Sequence, residues 1–196
     1  MDPLTIIFLG SQGSGKGTQA KLLTEKLKNI SDKSVFDFES GASFRALMND
    51  TGYTAELVKK TLNNGEILPD FFPVWMWTDA FMKNLSHGEH IIIDGFPRTV
   101  TQAKLLGETF DFYERNNVYI MNLEIGPQVA EQRLLARGRS DDTPESIRKR
   151  LSWYESQVKP VIEYYKRDQK CKFVMVDGER SVDDVYRDIV KALNLE

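Results

Sequence analysis

The sequence predicts an α/β domain, an all-parallel sheet of five strands covered by helices on both faces. Two observations carry this. Short apolar runs rich in β-branched and aromatic residues recur between longer stretches of helical pattern. The runs LTIIFL and HIIID are nearly continuous rather than alternating, which is how strands covered on both sides read. At 196 residues the chain makes one domain, 1–196, able to bury roughly 70% of its unfolded surface without disulfides or metals.

Strands are expected at Leu4–Leu9, Ser34–Phe38, His90–Asp94, Val118–Leu123 and Lys172–Val176. Helices begin at Lys16, near Ser40, Thr54, Pro69 and Arg98, and at Pro127, Thr143 and Ser181. Three of these starts are signalled explicitly: Pro127 follows Gly126, Thr143 is an N-cap before Pro144, and Ser181 with Asp184 resembles a capping box. Between the second and third strands lie about fifty residues with a turn at Asn64-Gly65, more than one crossover needs. A small helical insertion over roughly 39–68 follows.

Composition excludes several classes. Hydrophobic residues are 41% and charged residues 28%, ordinary for a globular domain and unlike a disordered or fibrous chain. The net charge of -3 provides no polycation for coating nucleic acid, so an anion would be held by a local cluster. The single cysteine, Cys171, makes neither an internal disulfide nor a multi-cysteine zinc site, which suits a cytoplasmic setting. The opening Met-Asp-Pro lacks a basic leader and Leu4–Leu9 is too short to cross a bilayer, so no membrane association is expected.

The sharpest local signal is Gly10-Ser11-Gln12-Gly13-Ser14-Gly15-Lys16-Gly17-Thr18, directly after the first strand and opening the first helix. Glycines let the backbone wrap a polyphosphate, the helix N-terminus favours the anion, and Lys16 reaches the β- and γ-phosphates. This predicts a three-layer fold of the P-loop NTPase type. Gly17 follows the lysine where the strict pattern has Ser or Thr, and the hydroxyl comes at Thr18. Mg²⁺ is therefore expected to be held by nucleotide oxygens and water. Asp94, ending the third strand before Gly95-Phe96-Pro97-Arg98-Thr99, points at the crevice where such sheets bind ligands. It suits orienting metal-bound water, although a turn aspartate satisfying local N–H groups reads the same way. Arg133, Arg137, Arg139 and Arg150 cluster late in the chain; guanidiniums beside a phosphate loop stabilise a transferring phosphoryl group, while Asp141 and Asp142 would equally well neutralise a solvated face. Trp75, Trp77 and Trp153 are able to stack on bases but at helical positions read more readily as core or rim packing, His87 and His90 lack metal-ligand partners, and Cys171 reads as a small packing residue.

Taken in order from the first strand to the last helix, these motifs resemble the adenylate kinases, among the nucleoside monophosphate kinases. The resemblance rests on the GxxGxGKGT loop, on DGFPRT with the following Gln102, and on the late RSDD and RKR runs. It implies reversible transfer between Mg·ATP and AMP to give two ADP, in a monomer with a five-stranded core and a monophosphate-binding insertion. By resemblance, Gly10, Gly13, Ser14, Gly15, Lys16, Gly17 and Thr18 hold ATP and Asp94 supports Mg²⁺ through water. Arg133 stacks on the ATP adenine. Arg98, Arg137, Arg139 and Arg150 act with Lys16 on the transferring group. Arg45 and Arg98 grip the AMP phosphate beside Gly41 and Gly95, Ser40 and Gln102 read its adenine, and Gly65, Ile67 and Leu68 line the pocket. Thr99 and Gln102 favour AMP over the pyrimidine acceptors of UMP/CMP kinases. Ala42 and Ser40 stand where the family usually has aspartate and threonine. Only Gly138 separates Arg137 from Arg139, so residues 137–139 are a lid remnant with no room for a β-rich lid or a zinc knuckle.

Overall fold

The computed structural model describes residues 1–139 and 142–196. Five strands, β1 (Thr5–Leu9), β2 (Val35–Glu39), β3 (His90–Asp94), β4 (Val118–Glu124) and β5 (Cys171–Asp177), form one parallel sheet in the order β2-β3-β1-β4-β5. Each expected strand is present and its ends shift by no more than one residue. From β1 the chain crosses to the β2 edge, returns through β3, and then passes β1 to reach β4. The strand order therefore reverses around β1, and a crevice opens beyond its carboxyl end.

Alternation within the buried strands divides the core in two. Ile7, Leu9, Ile91, Ile93, Val118 and Ile120 face one side, packed on α4 (Phe71–Asn84), α5 (Val100–Phe112) and α8 (Lys159–Arg167) through Trp77, Phe81, Leu106, Phe110 and Val161. Ile6, Phe8, Ile92, Tyr119, Met121 and Leu123 face the other, against Leu23 and Leu27 of α1 (Lys16–Ile30) and Val185 and Ile189 of α9 (Val182–Ala192). Each fully buried Ile, Leu or Phe contributes about 1.5–3 kcal/mol, so the two-sided runs anchor the fold. The edge strands β2 and β5 instead carry exposed Asp37 and Lys172, charges that discourage further pairing.

Between β2 and α4 lie α2 (Ser40–Met48) and α3 (Tyr53–Asn63), whose Phe44 and Val58 bury against Leu68 in a third, separate core. Beyond β4, α6 (Pro127–Arg137) ends at Gly138 in the left-handed conformation, and α7 (Pro144–Trp153) begins under a Thr143 cap whose hydroxyl accepts from Ser146 N–H at 3.2 Å. Ser181 caps α9 in the same way through Asp184 N–H.

Helix starts fall where expected or within two residues. At α4 the sequence points to Pro69 but the helix begins at Phe71, and the Asp70 carboxylate, instead of capping it, is taken by Thr99 and Gln102. The stretch after α7 holds a further element: Tyr154–Val158 forms a π turn before α8. Pro160 is the reason. It has no N–H and its ring crowds the carbonyl four residues back, and the Lys159 N–H bonds Tyr154 O, five back.

Candidate active site

Every strand ends at the same edge of the sheet, and a cleft of about 700 Å³ opens there. The loop from Gly10 to Gly15 forms its floor. Gly10, Gly13 and Gly15 all have positive φ, and two of them are pinned by space as well. A Cβ at Gly10 would lie 2.3 Å from Leu123 O, and one at Gly13 would lie 2.9 Å from Ala130 O on α6. At Gly15 a Cβ would meet nothing within 4 Å. Gly15 is also the N-cap of α1 and offers no capping side chain, so the first N–H groups of that helix face the cleft. Lys16 curls over the loop, donating to Ser11 O at 2.7 Å and Gly10 O at 3.0 Å, with Ser14 Oγ at 3.4 Å. Burial pushes its pKa down to about 8, against the pull of Asp94 and helped by the charges of Arg98 and Arg137.

Asp94 lies buried beside Lys16, and burial raises its carboxyl above the usual aspartate value while Lys16 opposes the rise. Among the described residues its buried Oδ1 has no hydrogen-bond partner, so that oxygen is not spent on turn N–H groups. Its Oδ2 lies 3.2 Å from where a Cβ on Gly17 would sit. That contact is a physical reason for glycine after the lysine: a side chain there would press on the carboxylate.

The arginines of this wall arrive from α6, the connection after it and α7. Arg137 and Arg150 converge on Asp142, Arg137 through two hydrogen bonds at 2.9 and 2.7 Å and Arg150 through one at 2.8 Å; the Arg139 N–H donates to the same carboxylate. Burial would raise Asp142, but the hydrogen bonds and charge of Arg137, then Arg150, hold it below the usual carboxylate range. Both readings of the cluster thus meet in one arrangement, with the guanidiniums lining the cleft and a carboxylate balancing them. Asp141, the other expected neutraliser, lies outside the described residues. Arg133 lines the same wall but donates to Gly178 O at 2.8 Å and Glu179 O at 3.1 Å, tying α6 to the loop after β5.

On the opposite side Gly41, Arg45, Gly65, Gly95 and Arg98 line the cleft. Arg45 pairs with Glu39 at 2.8 Å, and Arg98 donates its Nε to Gly95 O at 2.8 Å. Gly65 is required for close approach, since a Cβ would lie 2.9 Å from Ser146 O at φ +69°. The two expected adenine readers do not line the cleft. Ser40 is buried and donates to Gly95 O at 2.8 Å. Gln102 is buried with both ends of its amide engaged, accepting from Arg98 N–H and donating to Asp70, each at 2.7 Å. Leu68 belongs to the small third core rather than the lining, and Ile67 is partly exposed beside it.

Comparison with known proteins bears on this arrangement. The family model described as adenylate kinase matches residues 8–170. The chain belongs to the adenylate kinase family. It is 32% identical over 195 residues to an adenylate kinase of Azobacteroides pseudotrichonymphae, covering 97% of each chain. To adenylate kinase 1 of a Nostoc strain it is 34% identical, over 96% of this chain and 97% of that one. To the uridylate kinase of Saccharomyces cerevisiae it is 36% identical, over 98% and 92%. Adenylate kinases transfer a phosphoryl group between adenine nucleotides, ATP and AMP against ADP, and the chain is a phosphotransferase of this kind. Among the described residues no helix is long and apolar enough to cross a membrane.

Two residues hold contacts that the sequence reading does not assign: Trp153 reads only as a base-stacking or packing aromatic, and Asp70 is not singled out. Trp153, at the end of α7, lines the cleft with its ring 5.5 Å from the Arg98 guanidinium and its Nε1 donating to Gly65 O at 3.0 Å. Asp70 holds the Gln102 amide and the Thr99 hydroxyl. Both act across long sequence separations, and no local pattern marks them.

Proposed function

We propose that the two sides of the cleft divide the substrates, the Gly10–Thr18 loop taking Mg·ATP and the 39–68 insertion taking AMP. What carries this is the juxtaposition of a phosphate loop with Arg98, Arg137 and Arg150 in one cleft. The α1 N-terminus and Lys16 cradle the β- and γ-phosphates, Arg98 and Arg45 hold the acceptor phosphate, and the guanidiniums of Arg137, Arg139 and Arg150 face the group in transit. In-line transfer then needs no covalent enzyme intermediate, because positioning and charge stabilisation do the catalysis. Asp94 fits a hydrated Mg²⁺ through its unpartnered buried oxygen, and the ion when bound would neutralise charge shared between the β- and γ-phosphates. Arg133 serves the ATP side through its place over the Gly13 and Gly178 backbones. Ser40 and Gln102 act on the adenine by reorienting from their internal partners.

Residues 137–139 are read as a minimal lid remnant, so that the helices flanking Gly138 and the insertion close the cleft. The alignment to the Chlamydia trachomatis adenylate kinase runs over 233 residues, so that relative carries residues this chain lacks. A cytoplasmic setting suits the free Cys171, which burial pushes up to about 12 and so keeps as an unreactive thiol. We expect a monomer, sedimenting as a species of 22.5 kDa.

The test is phosphoryl transfer from Mg·ATP to AMP, dAMP, UMP, CMP and GMP, with a blank lacking acceptor. Strong preference for AMP supports the reading. Preferred transfer to UMP would instead favour a second one, which the uridylate kinase relative at 36% identity motivates. ATP hydrolysis in the blank measures how well the short connection excludes water.

A further inference from the structure

Trp153 occupies a position that the division of labour above does not use. Its indole is anchored on three sides. One edge packs on the core face that holds Trp77 and Phe96, the Arg98 guanidinium lies over the ring at 5.5 Å from its centroid, and Nε1–H is given to Gly65 O at 3.0 Å. Gly65 closes α3 in a positive-φ turn set against the Ser146 backbone. A single side chain on the core helix α7 therefore touches both an anion-binding arginine and the far end of the helical insertion.

We propose that Trp153 is a positioning residue, which fixes Arg98 and the Gly65 turn relative to each other and so sets the width of the monophosphate side. The proposal rests on the reading that this side takes the monophosphate. The chemistry splits between two parts of the indole. The ring face is electron-rich and keeps the planar guanidinium aligned above it. Arg98 Nε is already given to Gly95 O, and its Nη groups have no hydrogen-bond partner among the described residues. Aimed this way, they are presented to an anion. The N–H, in turn, satisfies a carbonyl in a turn that no side chain larger than glycine can occupy. Loss of the ring releases Arg98, while loss of the N–H alone releases the turn.

The test compares the wild type with Trp153→Ala and Trp153→Phe, each checked for a native circular dichroism spectrum and melting point. Trp153→Ala is expected to raise KM for AMP by about tenfold or more, as loss of an aligned cation–π contact implies, with KM for ATP within about twofold. Trp153→Phe, which keeps a ring under Arg98, is expected to recover most of that loss. Tryptophan emission should change when AMP is titrated into the wild type, and the change should vanish in Trp153→Phe although calorimetry still detects AMP binding. An unchanged KM for AMP in Trp153→Ala, an equal rise in both KM values, or an AMP response that persists in Trp153→Phe would each overturn the proposal. Wild-type protein that binds no AMP by calorimetry would remove the monophosphate reading and this proposal with it, an outcome distinct from binding without a Trp153 response.

Discussion

The two walls of the cleft offer hydrogen-bond donors to an anion by different means. On the loop side the donors belong to the backbone: N–H groups at the start of α1, held by glycines that Leu123 and Ala130 leave no room to replace. On the arginine side the donors are long side chains from α2, the β3–α5 loop, α6 and α7, each held by an internal acceptor such as Glu39, Gly95 O or Asp142. A backbone site is built when the strand and helix form. A side-chain site is assembled only when distant segments pack, and the members paired with Glu39 or Asp142 must exchange those partners for a ligand. The first kind suits a nucleotide whose phosphates are gripped throughout; the second suits charge that moves during the reaction.

The largest expected effect breaks the loop side at its one side-chain cation. Lys16→Met should lower kcat by about 10²–10³-fold, the usual cost of deleting one aimed charge at a transition state. The melting temperature should barely move, because the lysine packs no core. A coupled ADP assay and a thermal melt read both, and normal turnover in the variant would take Lys16 out of the mechanism.

Arg98→Ala tests the other wall and should act on one substrate. Truncating a charge-assisted donor to a phosphate costs about 1.5–3 kcal/mol, or roughly 10- to 100-fold in KM for AMP. KM for ATP should stay near the wild-type value. Equal damage to both would mean that the walls do not divide the nucleotides.

The same contrast governs what could be read from the sequence. The loop was legible because its nine residues are contiguous and its glycines need particular backbone angles. Strand ends were legible because the buried runs stop at polar residues, and α7 and α9 announced themselves through Thr143 and Ser181. Arg137, Arg150 and Asp142 were close enough in sequence for their mutual neutralisation to be weighed. Trp153 and Gly65, by contrast, are 88 residues apart, and Gln102 meets Asp70 across 32, so these contacts depend on how α4, α5 and α7 pack on the sheet. The burial of Gln102 and Ser40 behind the cleft wall was illegible for the same reason. The π turn had a local signal in Pro160, inside a stretch of helical pattern.

Titration sharpens the comparison, since burial brings the pKa of the loop-side cation near working pH. With a folded value of about 8, Lys16 loses its charge as pH rises through 8. The profile of kcat/KM for ATP, which reports the free enzyme, should fall there, up to tenfold per pH unit. Bound phosphates favour the protonated amine, so the matching limb in kcat should lie at higher pH. Coincident limbs in the two profiles would show that Lys16 does not sense the nucleotide.

The smallest effect lies at the opposite edge of the sheet, where His90 joins strand ends rather than substrates. Its Nδ1 accepts the Leu4 N–H at 3.0 Å, so the proton is on Nε2, 2.9 Å from Ser31 Oγ. Burial, then the charges of Arg115 and Lys33, push its pKa below the ordinary histidine value. The folded protein therefore binds fewer protons here than the unfolded chain, and stability should fall as pH drops through the ordinary value of about 6.5. Asp37 and Asp94, raised by burial, act in the opposite sense, so the histidine's share is read from the difference between the wild type and a variant at His90. Denaturant midpoints between pH 7.5 and 5.5 should decline in the wild type and flatten in His90→Asn, with turnover per folded molecule unchanged. A slope that survives the substitution would move the pH dependence away from this edge. A change in turnover would mean that the strand ends opposite the cleft are not separate from it.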